Sequence, residues 1–88
     1  MPQLKTRECV EFGTRLRKLR TAKGFSQEGF AEIAEVHRTY LGGLERGERN
    51  PTLSVLSKLA VALGVTLTDL LKDVHPAHSK SLSKKVQA

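Results

Sequence analysis

The sequence predicts an all-α fold of five short helices, and three observations carry that expectation. Apolar residues recur at spacings of three and four along most of the chain, three of these segments open on a Ser or Thr, and glycines close several of them. Size agrees with this. A chain of 88 residues forms one small domain that buries about 60% of the surface its unfolded form exposes, so its core must be built from short, closely packed elements.

Met1 to about Glu8 is polar and without a period, and is expected to be frayed. From about Val10 to Lys23, Phe12, Leu16 and Leu19 repeat at four and three, which predicts an amphipathic helix stopped by Gly24. Arg20 lies one turn after Leu16, beside the buried stripe, whereas Arg15, Arg17, Lys18 and Lys23 fall on outer faces. An arginine at the edge of a core needs a carboxylate, and Glu45 is the expected partner in a structural ion pair. The second helix begins at Ser26, whose hydroxyl can cap its first turn, has Gly29 as its weak point, and carries Phe30, Ile33 and Ala34 as an apolar stripe. After a turn at Ala34, Glu35 and Val36, a third helix packs Val36, Leu41 and Leu44 inward. At about 100° per residue, Thr39, Gly42, Gly43 and Arg46 fall opposite Leu41.

Gly47 ends that helix, and Glu48, Arg49, Asn50 and Pro51 form a loop, because the residue before a proline resists helical geometry. Thr52 caps a fourth helix with Leu53, Leu56, Leu59, Ala60 and Leu63 on its core face and Gly64 at its end. Thr66 caps the last, which holds Leu67, Leu70, Leu71 and Val74. After His75 and Pro76 the stretch AHSKSLSKKVQA has few apolar anchors and reads as a flexible basic tail. The expected division is a flexible N-terminus over 1–8, a single helical domain over 9–74 and the tail over 75–88.

Charge points to a polyanionic partner. The net charge is +6, but its distribution matters more than its sum. Residues 1–25 hold seven Lys/Arg against two Glu, whereas residues 26–51 hold three Arg against five Glu. Affinity for nucleic acid must therefore come from where individual arginines point, and from the flanking helix and tail. One cysteine, Cys9, allows no internal disulfide and no multi-cysteine metal site, which implies a reducing cytoplasm. No apolar run approaches the roughly 18 residues of a membrane span. His37, His75 and His78 do not make a metal-ligand arrangement. No nucleophile and base pair, phosphate-binding glycine loop or carboxylate dyad is visible, so neither an enzyme nor a cofactor is expected.

A short helix presenting Arg and Thr outward, braced by a partner across a tight turn, fits the major groove of double-stranded DNA. Arg38 can give two hydrogen bonds to O6 and N7 of a guanine, and Thr39 can meet a thymine methyl. Arg46, Arg49 and Asn50, at a helix end and its loop, suit phosphate oxygens. Glu48 beside them is an unfavourable neighbour unless an arginine pairs with it. Gly42 and Gly43 weaken the helix that bears them, and either allow it to sit deeper in the groove or are tolerated surface defects. Leu67, Leu70, Leu71 and Val74 offer more apolar surface than a short terminal helix needs, and form a homodimer seam or else cap the core.

The stretch FSQEGFAEIAEVHRTYLGGLERGERNPTLSVLSKLAVALGVTLTDLL resembles the helix-turn-helix of the XRE family, the lambda and 434 repressor and Cro-like domains. HRTYLGGLERGERN is most similar to the small controller proteins that regulate restriction–modification genes. The resemblance covers about residues 9–73 and rests on SQ, a second apolar helix, ERG, NP and the ALGV helix end, each at the expected spacing. It implies a five-helix, lambda-repressor-like regulator that dimerises on a partly palindromic operator. It also implies that Gln27 hydrogen-bonds a phosphate and orients the reading helix, and that Arg38, Thr39 and Tyr40 meet base edges. Arg46, Arg49 and Asn50 would grip phosphates, with Arg20 and Glu45 bracing the first helix against the reading helix. Glu35 stands where the family commonly has Gly, so the turn either tolerates a side chain or differs, and His37 replaces the usual cap. No small-molecule effector is evident. An antitoxin that also masks a protein partner, or a protein-interaction module, remains the alternative.

Overall fold

The computed structural model describes residues 5–76, and these hold five helices and no strand. The helices are α1 (Arg7–Ala22), α2 (Gln27–Ala34), α3 (Arg38–Glu45), α4 (Leu53–Leu63) and α5 (Leu67–Leu70). The basic tail expected beyond Pro76 lies outside the described residues from position 77 on.

Four helices are started by a hydroxyl. Thr6, Ser26, Thr52 and Thr66 accept hydrogen bonds from the N–H groups of Cys9, Gly29, Val55 and Asp69 at 3.0–3.3 Å. Thr66 and Asp69 form a reciprocal capping box. Thr6 was hidden in the sequence because the apolar period starts only beyond it, so α1 begins at Arg7 and not near Val10, and Thr6 to Glu8 are ordered into its start. Glu8 in that first turn favours the positive end of the helix. Gly24, Gly47 and Gly64 take φ of +81°, +78° and +72° after α1, α3 and α4, a left-handed conformation that glycine adopts without a Cβ clash.

The core is made by Phe12 and Leu16 of α1, Phe30 of α2, Leu41 and Leu44 of α3, Leu59 and Leu63 of α4, and Leu70 of α5, each at most 3% exposed. Two expected members lie outside it. Ile33 is 53% exposed because α2 buries Phe30, Ala31 and Ala34, and Ile33 stands about 110° from the centre of that stripe. Leu53 is 69% exposed at the first position of α4. The last helix is one turn long, and its Leu70 is fully buried while Val74 packs against the core. Leu70 is thus taken up by the core of its own chain, and Val74 is partly covered by it.

Side chains of α1 fasten the end of the fold. Arg15, expected on an outer face, donates from Nε and Nη2 to the carbonyl of Asp69 at 3.0 and 2.8 Å, a carbonyl that also accepts from the N–H of Lys72 at 3.3 Å. Glu11 accepts from the backbone N–H of His75 at 2.7 Å, and this bond holds the Glu11 carboxyl below its ordinary range.

A glycine inside α1 sets how closely α1 and α3 approach. A Cβ at Gly13 would lie 2.5 Å from the carbonyl oxygens of Leu44 and Glu45, and one at Gly47 would lie 2.9 Å from Cα of Val10. Backbone is in contact with backbone at both points. Gly13→Ala must push the helices apart, at about 3 kcal/mol. In thermal denaturation this should lower the melting temperature by about 12–24 °C for a domain of this size. A variant melting within about 3 °C of the parent would show that α1 can retreat freely.

Candidate nucleic-acid interface

The turn between α2 and α3 depends on Glu35, which takes φ 61° and ψ 45° although it is not glycine. Its N–H and that of Val36 return to carbonyls of the last turn of α2, Val36 to Ala31 at 3.0 Å. The left-handed position therefore accepts a side chain, at about 1–2 kcal/mol, because the returning hydrogen bonds hold it. His37 then enters α3 in an extended conformation with no side-chain cap, so the first N–H groups of α3 have no hydroxyl or carboxylate closing them.

Orientation of α3 is fixed from beneath. Glu45 accepts from Arg20 Nε at 2.6 Å and Nη2 at 3.1 Å, and from Gln27 Nε2 at 3.0 Å. Arg20 Nη1 also donates to the carbonyl of Phe25 at 2.7 Å. The two charged side chains are only 9% and 4% exposed. Arg20 thus has its fork matched by one carboxylate and one carbonyl, which is how a buried guanidinium avoids a large desolvation penalty. Gln27 does not extend freely towards solvent: its amide nitrogen is engaged by Glu45.

On the outer side, Arg38 and Thr39 are exposed at the start of α3, and Arg38 has only a distant carboxylate, Glu28, at 3.9 Å. Tyr40 is half-buried, with its ring against the core, so it presents less to solvent than its two predecessors. Gly42 and Gly43 are buried, contrary to their expected place on the outer face. A Cβ on Gly42 would meet Arg46 Nη1 at 3.1 Å and Gln27 Oε1 at 3.8 Å, and one on Gly43 would meet Arg49 Cγ at 2.9 Å. The glycines form a shelf on which the arginine side chains lie. Gln27, Arg46 and Arg49 therefore converge along one side of α3, with exposed Asn50 following in the loop.

Glu48 closes this group. Its carboxylate lies 3.1 Å from Arg46 Nε and 3.9 Å from Lys5 Nζ, and the Arg46 hydrogen bond holds it below the usual carboxylate range. Lys5, in the stretch expected to fray, was not singled out in the sequence, and no periodic or compositional signal marks it. The shelf was also missed, since a helical wheel shows direction but not a neighbour folding back. Gly13 left a fainter trace, as a glycine beside Phe12 inside an otherwise good helix. Among the described residues, no group of three or more His, Cys, Asp or Glu is placed to hold a metal, and no helix is long and apolar enough to cross a membrane.

A helix-turn-helix family model matches residues 16–70. The control protein C.MunI from Mycoplasma sp is 42% identical over 66 residues, covering 74% of this chain and 89% of its own length. The crystal structure of the restriction–modification controller protein C.AhdI from Aeromonas hydrophila aligns with a TM-score of 0.69 and 52% identity, over 70% of this chain and 94% of that one. The crystal structure of SinR, a master regulator for biofilm formation, in complex with DNA aligns with a TM-score of 0.67 and 35% identity, over 69% and 98% of the two chains.

Removing the carboxylate from the buried pair should be severe. Glu45→Ala leaves Arg20 charged and unpaired and should destabilise the domain by about 3–5 kcal/mol in urea unfolding, whereas the double change Arg20→Met with Glu45→Leu should lose less than Glu45→Ala alone. A double variant weaker than Glu45→Ala would mean that the pair contributes net stability beyond satisfying its own charges.

Proposed function

The chain belongs to the XRE-type helix-turn-helix family of DNA-binding transcriptional regulators, and on that premise we propose that it occupies a partly palindromic operator as a homodimer and reads bases with Arg38 and Thr39. The observation that carries this reading is the pairing of two surfaces on α3. Its first turn offers Arg38 and Thr39 to solvent, and its flank carries Gln27, Arg46 and Arg49 side by side. A major groove lies between two phosphate backbones, so a helix that reads bases at its start needs cations beside it to hold the duplex. Tyr40, half-buried, is a secondary contact that supplies the edge of its ring.

In this reading Arg38 leaves its long-range pairing with Glu28 and donates two hydrogen bonds to a guanine. Arg46, Arg49, Asn50 and the Gln27 end of α2 hold phosphates and set the register. The seam of the dimer is Leu67 and Leu71, 37% and 38% exposed, while Leu70 and Val74 support it from the core. Two copies joined there would present their reading helices about 34 Å apart, one turn of DNA. By its similarity to control proteins, the regulated genes are those of a restriction–modification system.

Selection of bound sequences from a random duplex pool defines the operator, and failure to enrich any sequence would remove the base-reading proposal. Against that operator, Arg38→Ala should lose about 1–3 kcal/mol of discrimination, so that operator affinity falls far more than affinity for random DNA. Equal losses on both would demote Arg38 to a phosphate contact. Leu71→Asp should give a monomer in sedimentation at micromolar concentration and abolish cooperative occupancy of both half-sites. A dimer surviving that change would move the seam elsewhere.

A further inference from the structure

The carboxylate of Glu48 is unexpected in the middle of a cationic strip. It is held there by backbone geometry. Gly47 turns the chain at φ +78°, close against Val10, and the N–H of Glu48 returns to the carbonyl of Gly43 at 2.9 Å. From that fixed point the side chain reaches Arg46 at 3.1 Å and Lys5 at 3.9 Å, with Arg49 as its chain neighbour on the other side. The carboxylate is 31% exposed, whereas Arg46 and Lys5 are 58% and 54% exposed. The cations therefore project beyond the acid and are what an approaching polyanion meets first.

The geometry points to Glu48 as an internal stand-in for a DNA phosphate, an affinity-setting residue that offsets the grip of Arg46 and Lys5 on the duplex. The inference rests on the reading of Arg46 as a phosphate contact and adds what regulates that contact. An arginine already neutralised by a carboxylate adds less net positive charge with which to displace the counterions condensed on the duplex, and a phosphate drawn to it must come near a second anion. Both effects lower affinity without regard to base sequence. An opposing effect exists, since Glu48 also holds the Arg46 side chain in place. Exposed ion pairs contribute little net order, however, so repulsion should prevail. Arg49, which has no ion pair within 4 Å among the described residues, feels Glu48 only through a weaker attraction at longer range, so the brake on it is smaller than on Arg46.

The test measures binding of the full chain to its selected operator and to a random duplex of the same length, across a series of salt concentrations. Glu48→Gln should tighten both complexes by about three- to tenfold at 0.1 M salt, by the same factor within about twofold. It should also steepen the fall of log affinity with log salt by about 0.9 for each cation released to a phosphate. Unchanged or weaker binding, or a gain confined to the operator, would overturn the inference. If Glu48→Gln fails to fold, two other variants decide. Arg46→Gln should lose less affinity and less salt dependence than Arg49→Gln, and an equal or greater loss at Arg46 would overturn the inference as well. A parent protein that binds neither duplex would remove the DNA-binding reading itself and this inference with it. A parent that binds while Glu48→Gln matches it would remove only the role of Glu48.

Discussion

The Glu45 carboxylate, nearly closed to solvent, belongs to α3 and takes hydrogen bonds from Arg20 of α1 and Gln27 of α2, so the mutual angle of three helices is decided at one group. Hydrophobic packing alone would leave that angle loosely set, because leucines tolerate small rotations with little change in buried area. A bidentate guanidinium does not. The glycines reinforce the same constraint, since Gly13 brings the backbone of α1 against the last carbonyls of α3, where Glu45 sits. A helix that must enter a duplex at a defined pitch needs this kind of fixing, which explains why a charged pair is kept in a core this small.

Much of this was legible in the sequence for reasons of period and punctuation. The spacing of Leu16, Leu41, Leu44, Leu59 and Leu63 gave their helices a buried face, and Ser26, Thr52 and Thr66 marked where three of them start. Arg20 and Glu45 could be matched because each sits at the margin of an apolar stripe, where an isolated charge would be unfavourable. What escaped were relationships with no period. Leu70 reads as surplus apolar surface until α1 and α4 are seen to enclose it, and Ile33 sits at a legitimate helical spacing yet on the wrong flank of its stripe. Thr6 stands ahead of any apolar repeat, and the partners of Arg15, Glu11 and Lys5 are remote in the chain. Within the candidate interface, exposure of Arg38 and Thr39 followed from the wheel, whereas the folding of Arg46 and Arg49 back onto Gly42 and Gly43 required three dimensions.

The glycine pair now has a physical account that neither of its two sequence readings supplied. Two adjacent glycines reduce the intrinsic stability of an eight-residue helix, at about 1 kcal/mol each relative to alanine. What they provide is lateral room: the guanidinium of Arg46 lies against Gly42 and the stem of Arg49 against Gly43, so both side chains run close to the helix barrel. The loss of propensity is offset by the tertiary hold on α3 from Leu41 and Leu44 in the core and from Glu45 beside them. Weak local preference and strong long-range restraint are consistent with one another here, because the restraint comes from outside the helix.

Cys9 is 6% exposed, the third residue of α1, and its N–H is held by the cap that starts the helix. It is also the sole thiol of the chain. A reagent in solution has little access to that sulfur in the folded protein, so alkylation kinetics would report the local openings that expose it, with no label introduced. Because Lys5 sits immediately ahead of that cap and pairs with Glu48, the same kinetics would register whether an arriving polyanion loosens or tightens the junction between the chain's beginning and the exit of α3.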